Sequence, residues 1–272
     1  MIMKDKRTQK LAILSTLLGF FFLIGILYLT SFILKSNKND VLPYPHEILA
    51  RVIDLLFLKG AKKTWIGVGY TLLRILIGFG VSFIFGALLG TIASLFKLFG
   101  NFLSISVAIK RTIPTAAVTI VLLGIFMGPK TRDYLDYIPC ILTFIVAFPL
   151  IYESFRNGLD NEETDVMDAL RLEAKRTNLR VLFQVRYHDA LPFILLGITQ
   201  SLGLSFKVSI MSEVLTANSI SKSGIGSLIV SENQYGTIEN VIAYAVISLL
   251  LMAVIDIPLL IVKKKTNQNK SK

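Results

Sequence analysis

The sequence predicts an all-α membrane protein with six transmembrane helices. Hydrophobic residues make up 53% of the 272-residue chain, and its mean hydropathy is +0.65, so little polar surface is available to cover a soluble fold. Six largely apolar segments approach the roughly 20 residues that a helix needs to cross about 30 Å of hydrocarbon. Their apolar runs are continuous, which favours helices over the alternating strands of a β-barrel. The segments lie near 11–33, 70–96, 103–128, 137–155, 192–215 and 238–262.

The first span follows a basic segment, as the core of a secretory signal peptide does. Its apolar run is longer than the roughly 7–15 residues of such a core, and no small-x-small cleavage site precedes Lys35. We therefore expect this span to be retained as a transmembrane helix. The basic residues before it are Lys4, Lys6, Arg7 and Lys10.

A shorter amphipathic segment follows the first span. Ile48, Val52, Leu55 and Leu56 share one side of a predicted helix there. We expect this segment, which runs from Leu42 through Lys63, to lie outside the cytoplasm, where it either rests on the membrane or meets another protein. Residues 1–65 are therefore predicted to form an N-terminal unit that precedes the main membrane core.

The distribution of lysine and arginine predicts that both termini are cytoplasmic, because basic flanks of membrane helices resist translocation. The N-terminal segment, the loop 157–189 and the tail 264–272 each contain several lysines or arginines, and an even number of spans agrees with this orientation. Residues 35–63 disagree, since their lysines and arginines would then lie outside. The predicted location is the inner or plasma membrane, with the lipid bilayer as the solvent of the spans.

The net charge of +11 does not indicate a nucleic-acid partner. The basic residues flank the spans, and they form no stripe with interleaved aromatic residues. Cys140 is the only cysteine, so the chain offers no disulfide framework and no thiolate cluster. His46 and His188 lie far apart without ligand spacing, which argues against a metal site.

The segment 157–189 is a charged interruption between the fourth and fifth spans. Asp160 and Glu163 form an N-cap pair, and the acidic first turn that follows favours the start of a helix. Met167, Leu170 and Ala174 recur on one side of that helix. Such an apolar strip needs a cover, either the groove of a soluble protein or the lipid surface.

This loop resembles the EAA loop of ABC importer permeases. The matching residues are Asp168-Ala169-Leu170, then Ala174, then Leu191-Pro192 before the next span. The family pattern is Glu-Ala-Ala, three residues, Gly and a later Leu-Pro, so the chain differs in the acidic residue, the second alanine and the glycine. In that family the loop forms a coupling helix in a cleft of the ATPase subunit. The resemblance implies that an ATPase docks on Met167, Asp168, Ala169, Leu170, Arg171 and Ala174.

Further motifs occur in the order of the same family, and they extend the resemblance over residues 66–263. Together they look most like the nitrate, sulfonate and taurine branch, which also includes importers of thiamine precursors. They are Thr71-Leu72-Leu73-Arg74 with Gly78, Gly86 and Gly90, then Lys110-Arg111-Thr112-Ile113-Pro114, Ala147-Phe148-Pro149, Glu213-Val214-Leu215 and Ser223-Gly224-Ile225-Gly226-Ser227-Leu228.

The resemblance implies a type I ABC importer permease with a cytoplasmic coupling helix between its fourth and fifth spans. A second permease copy would complete the pathway for a small organic or inorganic anion, such as a sulfonate or nitrate. An extracytoplasmic solute-binding protein would deliver the solute, and a separate ATPase would hydrolyse ATP. The chain itself has no Gly-x-x-x-x-Gly-Lys-Ser/Thr loop, and we expect it to bind no cofactor.

Three alternatives remain open at this point. The solute could be a thiamine-precursor pyrimidine, or the chain could be a membrane scaffold or receptor that uses the charged loop for docking. An intramembrane enzyme is disfavoured, because the sequence contains neither His-Glu-x-x-His nor Gly-x-Ser-x-Gly.

Polar residues of the fifth span are candidates for the solute pathway, because polar groups inside a membrane are expensive. Gln200 and Lys207 share one face of the predicted helix, and four serines occupy a different arc. The serine arc either lines an aqueous pathway or lets neighbouring helices approach closely. Its members are Ser201, Ser205, Ser209 and Ser212.

Charged residues near the spans need partners or water. Lys207 is expected to contact an anionic solute or a carboxylate on another helix, and Glu213 is a further pathway candidate. Arg74 is expected to snorkel to the outer interface.

Gly86 and Gly90 predict a helix-packing notch. The glycines of the loop 223–226 indicate an ordinary turn or, through the resemblance, part of an outer gate.

Overall fold

A computed structural model describes residues 6–36, 42–103, 114–160 and 186–270, and the regular structure in these ranges is helical throughout. The all-α prediction is therefore confirmed for the described part of the chain. The helices, in chain order, are α1 (Lys6–Ser36), α2 (Pro45–Phe57), α3 (Ala61–Leu95), α4 (Thr115–Phe126), a 3-10 helix (Arg132–Tyr137), α5 (Ile138–Asp160), α6 (Tyr187–Thr216), α7 (Ile225–Tyr235) and α8 (Ile238–Lys270).

Four helical segments of the described residues are long and apolar enough to cross a membrane. They correspond to the second, fourth, fifth and sixth predicted spans. The predicted spans near 11–33 and 103–128 overlap with shorter apolar helical stretches. These are Phe21–Lys35, which is part of α1, and Thr115–Phe126, which is α4. The count of six spans therefore stays a prediction. The four long segments are Ala61–Leu95, Arg132–Asp160, Tyr187–Thr216 and Ile238–Ile257.

Glycines on one face of α3 allow α5 to approach its backbone. A Cβ at Gly78 would lie 2.5 Å from the carbonyl oxygen of Cys140, and one at Gly90 would lie 2.6 Å from that of Tyr152. A Cβ at Gly86 would lie 2.8 Å from Ile151 Cγ2. The predicted packing notch at Gly86 and Gly90 is thus confirmed, and the close approach lets dispersion contacts hold the two helices together.

The α5 helix also packs along the first half of α6. One apolar cluster joins the two helices, and Phe79, Phe83 and Ala87 of α3 pack against it. A Cβ at Gly197 would fall only 1.8 Å from Ser154 Oγ, so the glycine permits this crossing. Helices α3, α5 and α6 therefore form the central layer of the bundle. The buried members of the cluster are Ala147, Ile151, Phe155, Leu159, Ala190 and Ile194.

The apolar face of α2 is covered by the protein itself. Val52 and Leu55 are buried against Leu228 of α7 and Tyr244 of α8, with Ile48 and Leu56 at the edge of the cluster. This side of α2 is therefore covered within the chain, while the placement of the whole segment on the membrane or against another protein stays a prediction, since other side chains of α2, such as Ile53 and Phe57, are exposed. An amphipathic pattern shows that a face needs a cover, and here two later helices provide one.

Polar and aromatic contacts attach α1 to the start of α2. Tyr44 stacks on Tyr28 and His46, and Lys35 Nζ lies 3.1 Å from Glu47 Oε1. The main-chain N–H of Tyr44 donates a hydrogen bond of 2.7 Å to Glu47 Oε2. This bond, together with the ammonium group of Lys35, holds the pKa of Glu47 below its usual value.

The packing notch of α3 leads to a prediction with an internal control. Gly90→Ala should destabilise the protein by about 1–3 kcal/mol, because the new methyl group would overlap with the Tyr152 carbonyl and with Phe155. Gly80→Ala should be neutral or stabilise by up to about 1 kcal/mol, since alanine favours helix and nothing lies within 4 Å of a Cβ there. Thermal unfolding of the detergent-solubilised variants measures both, and equal shifts would contradict the notch.

Candidate functional site

One fully buried carboxylate, that of Glu213 in α6, joins three helices. Thr71 Oγ1 of α3 lies 3.0 Å from Oε1 and 2.9 Å from Oε2, so its hydroxyl donates to the carboxylate. Arg74 Nη1 donates a hydrogen bond of 2.8 Å to Oε1, and the main-chain N–H of Gly226 donates one of 3.0 Å to Oε2. The carboxylate therefore exchanges water for charge-assisted bonds from α3 and from the start of α7.

The glycines at 224 and 226 are required by this close approach. A Cβ at Gly224 would lie 2.2 Å from Glu213 Oε1, and one at Gly226 would lie 2.5 Å from the carbonyl oxygen of Ile210. The main-chain N–H of Ile225 donates a hydrogen bond of 2.9 Å to Thr71 Oγ1. The loop is thus more than an ordinary turn, because its backbone supplies donors to a buried site at a helix N-terminus.

Arg74 is a buried partner in this site. Besides its bond to Glu213, its guanidinium donates a hydrogen bond of 2.7 Å to the carbonyl oxygen of Lys222. Its Nη2 also lies 3.5 Å from Asp136 Oδ1. The expectation that Arg74 snorkels to the interface is therefore wrong. Its side chain is only 6% exposed, since a carboxylate, a carbonyl and a second carboxylate converge on it.

Asp136 extends the site to the loop before α7. Its Oδ1 accepts hydrogen bonds from the main-chain N–H groups of Ser221, at 3.0 Å, and Lys222, at 3.2 Å. Its Oδ2 accepts one from Ser221 Oγ. Thr71, Arg74, Asp136 and Glu213 are together called the ion cluster below. This cluster links α3, the 3-10 helix, α6 and α7.

A cavity of about 720 Å³ opens beside the ion cluster. Arg74 and Asp136 form part of its wall, and Arg132 and Lys222 add positive charge. Cys140, the single cysteine of the chain, also lines it. The cavity therefore has a mixed polar and apolar wall with charges of both signs, and it lies at the end of the bundle where α6 ends and α7 begins.

The serine arc of α6 is packed inside the bundle. All four of its members have no exposed surface within the chain. Two of them donate hydrogen bonds to their own helix: Ser205 Oγ to the carbonyl oxygen of Ser201, at 2.7 Å, and Ser201 Oγ to that of Ile198, at 3.0 Å. Their small size lets the neighbouring helices approach closely, which favours the packing alternative.

The opposite face of α6 is open within the described chain. Its two polar side chains, Gln200 and Lys207, lie among apolar ones. A pocket of about 320 Å³ on this face brings Lys207 together with Gln200 and with Asp256 of α8. The pair at 200 and 207 thus shares a face distinct from that of the serines, as its spacing predicts. The exposed residues of the face are Gln200, Leu204, Lys207, Met211 and Leu215.

The predicted coupling residues lie outside the described ranges. Met167, Asp168, Ala169, Leu170, Arg171 and Ala174 all fall between residues 160 and 186. Helix α5 ends at Asp160 and α6 begins at Tyr187, so the two helices bracket this segment.

Sequence reasoning missed three residues of these sites: Thr71, Asp136 and Asp256. It also missed the role of Arg74 as the partner of Glu213. The available signal was charge, because Arg74 and Glu213 both lie inside apolar spans, where each needs an opposite charge. Asp256 likewise lies inside a predicted apolar span, where it needs an opposite charge such as that of Lys207.

Comparison with known proteins identifies the family. The family model described as binding-protein-dependent transport system inner membrane component matches residues 82–268. The chain belongs to this family. The permease therefore acts in solute transport across a membrane, as ABC importer permeases do, and its family is not one of enzymes.

A solved structure supports the fold of the permease. One chain of the MetNI methionine ABC transporter, in an inward facing conformation, superimposes with a TM-score of 0.52 at 18% sequence identity. The similarity covers 80% of the permease and 96% of that chain. At this identity the likeness shows the fold alone. No curated protein sequence matches the permease significantly.

The ion cluster of the permease leads to a prediction on stability. Glu213→Gln should cost about 3–5 kcal/mol, because it leaves the guanidinium of Arg74 buried beside a neutral group. Arg74→Met should cost a similar amount, and the double variant Arg74→Met/Glu213→Gln should lose clearly less than the sum of the two. Denaturant or thermal unfolding of the four proteins measures the coupling. Strictly additive losses would show that the two side chains do not act as a pair.

Proposed function

We propose that the permease forms the solute pathway of an ATP-driven importer, and that the open face of α6 lines this pathway. The supporting observation is Lys207, an ammonium group on an exposed helix face within a membrane-spanning segment. In lipid, this position would cost at least about 2.5 kcal/mol. A second permease copy that faces this side of α6 would remove that cost, because a water-filled pathway could then run between the two copies. Homodimerisation through this face is therefore part of the proposal.

The proposed orientation has both termini in the cytoplasm. The basic N-terminal and C-terminal segments support it, as do the lysine and arginines of the loop that joins α5 to α6. The ion cluster, α2 and α7 then lie at the extracytoplasmic end. The loop at 161–186 faces the cytoplasm, and we propose that it carries the coupling helix, through which a separate ATPase drives the reorientation of the spans.

The pocket on α6 also bears on the solute. Lys207 and Gln200 offer donors to a small anion such as a sulfonate or nitrate, which is the solute class proposed here. Asp256 lines the same pocket and adds an acceptor. An aminopyrimidine of the thiamine-precursor type, which carries both donors and acceptors, is therefore the second candidate.

Paired substitutions distinguish the two solutes. For an anion, Lys207→Met should reduce uptake at limiting solute by about tenfold or more, since a charge-assisted hydrogen bond is lost, and Asp256→Asn should leave it unchanged or raise it. For an aminopyrimidine, both variants should reduce uptake. The assay is uptake of sulfonates, nitrate and thiamine precursors by cells that lack the native gene. Wild-type uptake by both variants would contradict the pathway role of this pocket.

The coupling segment has its own test. Met167→Asp together with Leu170→Asp should abolish co-purification of the ATPase, because charges would replace the apolar strip that enters its cleft. Lys175→Glu, on another side of the same predicted helix, should retain it. ATPase retained by the double variant would refute the docking site while leaving the family membership of the chain intact.

A further inference from the structure

A groove rimmed by lysines lies next to the ion cluster. Four structural parts build it: the turn between α2 and α3, the first turns of α3, the loop that leads into α7, and α7 itself. Its volume is about 570 Å³. This surface, called the lysine groove below, contains Lys59, Lys62, Lys63 and Lys222, with Tyr70, Ser221, Ser223 and Ser231 between them.

The positive charge of the groove is only partly compensated. Lys63 Nζ lies 2.8 Å from Glu232 Oε1. Burial alone would raise the pKa of Glu232, but hydrogen bonds from Lys63 and Asn240 hold it below the usual value, so this carboxylate is ionised. Lys59 and Lys62 are exposed, and within the described residues no carboxylate pairs with them. The ammonium of Lys222 lies 5.8 Å from the ring centroid of Tyr70. Among the residues that the structure describes, three of the four lysines thus lack a counter-charge.

The position of these charges requires an explanation. In the proposed orientation the lysine groove is extracytoplasmic, whereas lysines near membrane helices concentrate on the cytoplasmic side. Topology therefore does not explain them. A binding role does, because a concave patch of one sign attracts ligands of the other sign.

The groove is rigidly connected to the pathway helix. The main-chain N–H of Lys222 donates to Asp136 at 3.2 Å, and its carbonyl oxygen accepts from Arg74 at 2.7 Å. Arg74 in turn pairs with Glu213 at 2.8 Å. One residue therefore separates the rim of the groove from the side chain that anchors α6.

We propose that the lysine groove docks an acidic surface of the extracytoplasmic solute-binding protein, and that contact at Lys222 is transmitted through Arg74 and Glu213 to α6. This inference rests on the proposed function. It deepens that function by naming the surface and the charge of the partner. Ammonium and hydroxyl groups suit a carboxylate and a lipid headgroup alike, but a protein surface is favoured because a bound lipid must also place its acyl chains against the groove. Ile66 and Leu228 alone would be a poor wall for acyl chains.

The test uses the complete transporter, with its ATPase, in nanodiscs, together with its purified solute-binding protein. Lys59→Glu/Lys62→Glu/Lys222→Glu should weaken binding of that protein by about tenfold or more, because like charges would then face its acidic surface. The wild-type affinity should fall with ionic strength, and the variant should lose most of this dependence. Lys130→Glu, an exposed lysine outside the groove, should bind as the wild type does.

Each outcome is decisive. Unchanged affinity in the triple variant, or an equal loss in Lys130→Glu, would overturn the docking surface. So would an affinity that follows the fraction of anionic lipid in the nanodisc and is independent of the lysines. Co-purification with the ATPase and elution as a single species on size-exclusion chromatography should be the same in all variants, which shows that they are folded. If the wild type associates with neither the ATPase nor the binding protein, the proposed function itself fails.

Discussion

The arrangement of the helices depends on one buried carboxylate. Glu213 has no exposed surface, and a carboxylate in that position is tolerated only when its partners are in place together. Those partners come from α3, through Thr71 and Arg74, and from the backbone at the start of α7. Arg74 carries the constraint on to Asp136 and the 3-10 helix. Four separate parts of the chain are therefore fixed relative to one another by a single charge.

This constraint also determines which way α6 faces. With Glu213 directed inward, the serine arc is inward as well, and its small side chains suit the close packing of the bundle. The face with Gln200 and Lys207 then points away from the rest of the chain. The loop that binds Asp136 and Arg74 carries Lys222 at the edge of the lysine groove. In our account, one ion cluster therefore joins the proposed docking surface to the proposed pathway face.

Much of this was predictable from local patterns. The helical class and four of the spans follow from continuous apolar runs, and the separation of the serines from Lys207 follows from the helical period. The pairing of Arg74 with Glu213 does not, because the two residues are 139 positions apart and several charged residues were equally possible partners. Arg74 lies near the end of a predicted span, where snorkelling is the usual expectation. The apolar face of α2 showed that it needed a cover, and only the folded chain identified α7 and α8 as that cover.

The central claim is that Glu213 orients α6 so that the Lys207 face lines a water-filled pathway. The most direct measurement is the reaction of single cysteines with a membrane-impermeant thiol reagent, in the assembled transporter and in a Cys140→Ser background. We predict that Leu204→Cys, Lys207→Cys and Met211→Cys react and are protected by solute, and that Ser205→Cys and Ser209→Cys do not react. Reaction in the serine arc with an inert Lys207 face would contradict the account.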